Sequence, residues 1–293
     1  MKVLIILLLT ISAGFAQKEY QLEDLIYENG IFSNRSSEEL VNGTVYQNFK
    51  EKRVALGNIV NGKKEGLWTF WYKNGGKREE GTFKDGNEVG VWKRWYDNGK
   101  MKSKRTIKYG KGEGLATWWY ENGKKESKGT FKNGKKEGLW IFWYENGRKL
   151  KEGTFEDGEL DGIWTYWNER GEKESEGAFK NGKGEGLWTF WYTNGQKLSE
   201  GNLKGVKKDG LWTYWNQGGE KESEGTFKAG KGSGLWIFWH PNGEKFSEGN
   251  LTGVKKDGIW TYWSQNGNKE SEEVYENGVL ISVKEWNEDG TIK

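Results

Sequence analysis

The chain predicts an all-β fold, an elongated and twisted antiparallel β-meander of tandem 24-residue hairpin repeats, and three observations carry that prediction. First, glycine returns at Gly66, Gly90, Gly114, Gly138, Gly162, Gly186, Gly210, Gly234 and Gly258, each 24 residues after the last. A fixed period of this size marks stacked units that bury their surface against their neighbours. Second, each unit carries two glycine turns. In the unit GLWIFWYENGRKLKEGTFEDGELD (138–161) they are Asn146-Gly147 and Asp157-Gly158. Asn-Gly and Asp-Gly between β-favouring runs are hairpin signals, because both loop residues tolerate positive φ. Third, the chain has 45 glycines and 19 tryptophans against one proline, a composition that suits half-buried strands and argues against disorder. Two turns per unit leave two short strands and no length for a helix.

Residues 1–16, MKVLIILLLTISAGFA, read as a secretory signal peptide. Lys2 supplies the charged start, Val3 to Ile11 is apolar, and Gly14 and Ala16 are small residues at the cleavage spacing, so the cut is expected between Ala16 and Gln17. The apolar stretch is shorter than the ~20 residues that a spanning helix needs. No later stretch is apolar enough to span a bilayer. The expected product is exported (periplasmic, cell-surface or secreted), with no transmembrane span after cleavage. Residues 17–65 read as degenerate capping repeats. Asp24 to Gly30 is like half a unit, and the stretches around Gly43 and from Gly57 to Gly62 follow the pattern loosely. Terminal repeats depart from consensus because one face has no neighbour. Residues 66–277 are nine regular units. Residues 278–293 read as a closing hairpin, Val279–Val283 followed by Trp286–Gly290.

Turn length fixes register. A two-residue loop at Asn146-Gly147 sets Trp140 opposite Gly153 and Trp143 opposite Leu150. A two-residue loop at Asp157-Gly158 sets Gly153 opposite Gly162. Trp140 is then expected to lie across the bare backbone of Gly153. Alternation places Trp140, Phe142, Tyr144, Gly153 and Phe155 on a first, packed face, and Leu139, Ile141, Trp143, Glu152 and Thr154 on a second. The second face carries the row Trp71, Trp95, Trp119, Trp143, Trp167, Trp191, Trp215, Trp239 and Trp263. Exposed, this candidate binding row is a ladder of flat rings for stacking on sugars or gripping a protein edge. In a sheet that curls or pairs, it is core. A second period of 48 residues, SEGNL at 199–203 and 247–251 with GVKKD at 205–209 and 253–257, points to duplication of two-unit blocks.

The composition carries little chemistry. Lys and Arg number 46 and Asp and Glu 43, a balance that gives no global sign of nucleic-acid binding. The absence of cysteine excludes disulfides and thiolate metal sites. His240 is the only histidine and takes the place of Tyr72 or Tyr192. It has no nucleophile motif around it, and one histidine makes no metal cluster. Glu80, Glu152, Glu176, Glu200, Glu224 and Glu248 repeat at one position, whereas a catalytic acid needs a singular environment, so they read as solvated ladder charge. The glycine turns lack the ligand spacing of a calcium loop. No catalytic residue, cofactor or metal site is expected, and the chain reads as no enzyme. One unit departs from the pattern. Arg94 replaces an aromatic residue and Arg105 a glycine, with Lys93, Lys102 and Lys104 nearby. This candidate basic patch is a site for an acidic partner or a solvated face, and the register brings Arg105 opposite Trp92, within reach of a cation–π contact.

The motif Gly-x-Trp-x-x-Trp-Tyr-x-x-Gly followed by Glu-Gly-x-Phe-x-x-Gly resembles the variant MORN repeat of bacterial proteins. The sixth unit shows it as Gly186, Trp188, Trp191, Tyr192 and Gly195, then Glu200 and Gly201, and departs where Leu203 replaces the aromatic and Gly205 comes one place early. The resemblance runs from about Gly43 to Gly278. It implies antiparallel sheets of successive hairpins and a scaffold role. Some relatives are labelled antitoxin-like, and membrane or lipid association is claimed for others. The expectation is therefore an exported, non-enzymatic repeat scaffold that binds another macromolecule, a protein, along its sheet. The alternatives are an envelope glycan-binding module using the tryptophan row and an antitoxin-like neutralising protein.

Overall fold

The two turns of each unit differ in kind, and the difference sets the register. The computed structural model describes residues 18–49 and 52–293, so the expected signal segment lies outside the described residues. Strands Lys149–Glu156 and Glu159–Trp167 are joined by Asp157 (φ 51°) and Gly158 (φ 90°), with Glu156 paired to Glu159. Both loop residues are left-handed, the two-residue turn whose twist matches that of the strands. The Asn146-Gly147 turn is longer than expected. Gly147 N–H donates to Tyr144 O (2.8 Å) and Tyr144 N–H to Arg148 O (2.9 Å), which leaves a three-residue loop with Gly147 left-handed at φ 89°. Trp143 therefore pairs with Lys149, not Leu150.

The period glycine is a bulge toward the preceding strand, although it pairs with the following one, as Gly162 does with Phe179. Trp140 does pair with Gly153. On the other side, Gly153 pairs with Trp164 and Thr154 with Asp161, so Gly162 and Ile163 are extra residues on their strand. Gly162 takes φ 71°, which a bulge of this type asks of its first residue and which glycine gives without steric cost. The expected Gly153–Gly162 pair does not form. The expected cover also changes partner. A Cβ built on Gly153 would stand 2.3 Å from the Trp164 ring, and one on Gly129 would stand 2.2 Å from Trp140. Trp140 and Trp164 each cover the glycine of the preceding strand, and the indole N–H donates to the next carbonyl, Trp164 to Thr154 (2.9 Å) and Trp140 to Thr130 (3.1 Å).

The described residues form two compact units, one ending at Lys111 and the other running from Gly112 to Lys293. In the first, β1 (Glu19–Gln21) pairs in parallel with β4 (Gly43–Phe49), the parallel exception in the meander. β4, β5 (Lys52–Val60), β6 (Lys63–Trp71), β7 (Lys77–Lys84), β8 (Asn87–Trp95) and β9 (Met101–Lys108) follow as antiparallel neighbours. The separate hairpin of β2 (Leu25–Glu28) and β3 (Ile31–Asn34) packs on the start of this sheet, with Leu25, Phe32, Val41, Val45, Leu56, Ile59 and Trp68 in one buried cluster. This hairpin lies outside the sheet, within the stretch that the sequence reads as capping repeats.

The second unit runs from strand Gly114–Trp119 to strand Val279–Glu285, each strand antiparallel to the next. All belong to one sheet, so the core is built along it and not between two layers. On the first face Trp140, Trp164, Trp212 and Trp260 are buried, and the rings stack in series. Phe155 meets Trp164 edge-on at 5.1 Å, and Phe142 bridges to the same ring at 6.3 Å. Lys136 lays its ammonium 4.6 Å from the Trp140 ring centre and 4.9 Å from that of Phe155, closing the stack with a cation.

Neighbouring units also join at both rims. Gly158 N–H donates to Lys136 O (2.9 Å), and Asp157 N–H donates to the Glu137 carboxylate (3.1 Å), 20 residues back. At the opposite rim Tyr144 OH donates to Trp167 O (2.8 Å) and Asn146 to Glu169 O (2.8 Å). The turn polar groups are thus spent on the adjacent repeat.

Candidate functional site

The second face is where repetition and exposure coincide. The bulge at each period glycine turns the following aliphatic residue outward. In the second unit this row runs from Leu115 through Leu139, Ile163, Leu187, Leu211 and Leu235 to Ile259, each at least 50% exposed. The first unit adds Leu67 and Val91. Isolated exposed leucines are ordinary, but within the second unit the column repeats at one site per repeat, on alternate strands, with polar partners such as Thr154 and Asn202 between.

Beside that column lies the tryptophan row. Trp71 and Trp95 of the first unit, and Trp119, Trp143, Trp167, Trp191, Trp215, Trp239 and Trp263 of the second, are all half-buried. Their rings are not bare. The ammonium of Lys173 lies 4.6 Å from the centre of Trp191, Lys149 lies 5.3 Å from Trp167, and Lys245 lies 5.1 Å from Trp263. The same lysines pair with the glutamate column: Lys149 with Glu152 (2.6 Å), Lys173 with Glu176 (2.8 Å), Lys197 with Glu200 (2.7 Å), Lys221 with Glu224 (2.8 Å) and Lys245 with Glu248 (2.8 Å). Thr165 and Thr189 donate to Glu176 and Glu200 as well. The column is therefore paired and half-buried, where the sequence suggested free solvated charge. Hydrogen bonds from Lys173 and Lys197 hold Glu176 and Glu200 below the usual carboxylate range, against the opposing effect of burial.

The basic patch resolves into ion pairs. Arg94 Nε donates to Glu79 (2.6 Å), Lys93 lies 3.7 Å from Glu80, and Arg105 reaches Glu88 at 3.5 Å. Lys102 lies over Tyr96 at 5.2 Å, and Lys104 is exposed. Arg105 does stand opposite Trp92. His240 does the work of the tyrosine it replaces: its Nε2–H donates to Trp263 O (2.8 Å), as Tyr192 OH donates to Trp215 O (2.9 Å). Among the described residues no group of three or more His, Asp and Glu is placed to hold a metal ion. No helix among them is long and apolar enough to cross a membrane.

The repeat geometry has a match among known families. The MORN repeat variant model fits residues 64–85, 88–109, 112–133, 136–157, 184–204 and 256–277, each a hairpin centred on the three-residue turn. The chain is a MORN-repeat protein. A search of curated proteins found no match. Among solved structures, this MORN-repeat protein is similar to chains in the crystal structures of TcdB2-TccC3-Cdc42 (11% identity, TM-score 0.20, 92% of this chain), TcdB2-TccC3-TEV (10%, 0.18, 89%) and TcdB2-TccC3 (11%, 0.17, 92%). It spans 17% of the length of each, and at these TM-scores the likeness carries no further conclusion. The motif residues now have physical roles in the MORN unit: the period glycine makes the bulge, the first tryptophan covers a glycine one strand back, and the Tyr and Asn of the turn tie it to the next repeat.

Proposed function

We propose that this MORN-repeat protein is an exported, non-enzymatic scaffold that binds a protein partner along the second face of its sheet. The observation that carries the reading is the exposed aliphatic column of the second unit, which presents one apolar contact per repeat, ~10 Å apart at two strand spacings. A partner surface of similar spacing would bury it, and the paired Lys–Glu column beside it would serve as a polar rim. The tryptophan row supports a protein more than a sugar. Each lysine over a ring occupies the face on which a sugar would stack. Export rests on the sequence of residues 1–16.

The test compares the wild type with a variant carrying Leu139→Ser, Ile163→Ser, Leu187→Ser and Leu211→Ser in pull-downs from an envelope fraction. These side chains are exposed, so the variant is expected to keep its far-UV dichroism and lose the partner. A folded variant that keeps the same partner would remove the basis of this reading. Retention on a glycan array with no protein captured would favour the glycan-binding alternative.

A further inference from the structure

The first unit contains a break in the ladder that the repeats of the second unit do not show. β5 and β6 pair only at Asn58–Glu65, Ile59–Lys64 and Val60–Lys63. In a regular unit the ladder resumes after the bulge, as Gly153–Trp164, Glu152–Thr165 and Lys151–Tyr166. The corresponding pairs, Gly57–Trp68, Leu56–Thr69 and Ala55–Phe70, do not form. Trp68 still covers Gly57, whose Cβ would stand 2.6 Å from the ring, so the ladder is interrupted although the strands stay neighbours there. β5 stays paired to β4 and β6 to β7 on their outer sides. A strand directs its N–H and C=O groups to both sides in turn, so the inner edges of β5 and β6 keep unpaired groups.

Two cavities of about 250 and 200 Å³ open at this gap, and Trp71 lines both. Leu56 and Phe70 supply apolar wall to the first, and Val54 to the second. The charged residues that line them are Lys64 and Arg78 in the first and Lys52 and Lys73 in the second, with no carboxylate. Glu88 and Glu79 act on Lys64 from outside the lining, and Glu79 is held by Arg94. Trp71 also differs from the lysine-covered rings of its row, such as Trp191. The residue 18 positions earlier, where Lys173 roofs Trp191, is Arg53, and Arg53 instead stacks on Tyr46 (3.8 Å) and pairs with Glu19 (2.8 Å). The Trp71 indole N–H is buried with no acceptor. A buried donor without a partner is costly, so a turn of the ring that brings it to an incoming carbonyl would relieve that cost.

We propose that the gap between β5 and β6 receives an extended peptide of alternating apolar and acidic residues. Its backbone pairs with the inner edge of β6, and the Trp71 ring turns on binding to bring its indole N–H to one peptide carbonyl. Its apolar side chains rest on Leu56 and Trp71, and its carboxylates meet Lys64, Arg78, Lys52 and Lys73. This is recognition by strand addition, in which the backbone supplies affinity and alternate side chains supply choice. It does not depend on the aliphatic column of the second unit.

The test is fluorescence anisotropy on the full chain with two labelled peptides, acetyl-(Glu-Val)4-amide and acetyl-(Lys-Val)4-amide. The Glu-Val peptide is expected to bind saturably and the Lys-Val peptide not to. Joint Lys73→Glu and Arg78→Glu reversal, at two exposed positions that leave the core untouched, should weaken binding at least about tenfold. Amide exchange of Leu67 to Trp71 should slow in the complex. Equal binding of both peptides, no effect of the reversal in a folded variant, unchanged exchange on β6, or no saturable binding up to about 1 mM would each overturn the proposal.

Discussion

Replacing Gly153 by alanine tests whether the tryptophan cover has been assigned to the right strand. The added Cβ would stand 2.3 Å from Cδ2 of Trp164, inside the 3.0 Å that real Cβ contacts respect. The ring cannot swing away freely. It is fully buried, its N–H is bound to Thr154 O at 2.9 Å, and Phe155 meets it edge-on at 5.1 Å. Overpacking of this kind costs about 1–3 kcal/mol. Removing the ring, in Trp164→Ala, costs about 3–5 kcal/mol by itself. Adding Gly153→Ala to that background should instead gain about 0.4–1 kcal/mol, because alanine now meets space and the unfolded chain loses freedom. The two substitutions should therefore couple by about 1.5–4 kcal/mol. A stacked array does not unfold in one step, so the assay is amide exchange across residues 149–167, which reads local opening. If Gly153→Ala costs the same with and without the Trp164 ring, the ring does not lie on that glycine and the bulged register is wrong.

Other parts of the unit make separate predictions. Val206 (φ 67°) and Val254 (φ 75°) hold left-handed positions that disfavour β-branched residues, so Val206→Gly and Val254→Gly should each stabilise their turn by about 1 kcal/mol, read as slower amide exchange in the flanking strands. No gain would mean that these turns take another shape. Tyr144→Phe removes the hydroxyl bound to Trp167 O and should cost about 0.5–1.5 kcal/mol, read as faster exchange near that rim. Hydrogen bonds from Lys77, Lys173 and Lys197 lower Glu80, Glu176 and Glu200 below 4.5. The native state then binds fewer protons than the unfolded chain in acid, so this stabilisation is present above that value and is lost as pH falls through the lowered folded pKa values. Urea midpoints should drop from pH 7 to pH 3. They should drop less in a Lys173→Met, Lys197→Met variant, and an equal drop would contradict the assignment.

The period, the turn positions, the Trp140–Gly153 pair and the composition of the two faces were legible because they depend on local chemistry. Asp157-Gly158 is a two-residue turn as its sequence says. The longer loop at Asn146-Gly147 was not legible, because the dipeptide suits a left-handed glycine in either turn. Gly162 was misread for a related reason: positive φ serves a bulge as well as a turn, and only the ladder distinguishes them. The lysine roofs were hidden because Lys173 and Trp191 are 18 residues apart and meet only across strands. The pairing of Arg94 with Glu79 and Lys93 with Glu80 could have been found by running the register backwards from Trp92. The gap between β5 and β6 left no mark in the motif, since Gly57 and Trp68 keep the same spacing as Gly153 and Trp164.

Nuclear Overhauser contacts from the two α-protons of Gly153 ask most directly how the repeats interlock. With indole rings labelled in turn, the contacts should run to the ring of Trp164 and not to that of Trp140. Contacts to the Trp140 ring alone would return the sheet to an unbulged register and remove the outward turn of the aliphatic column.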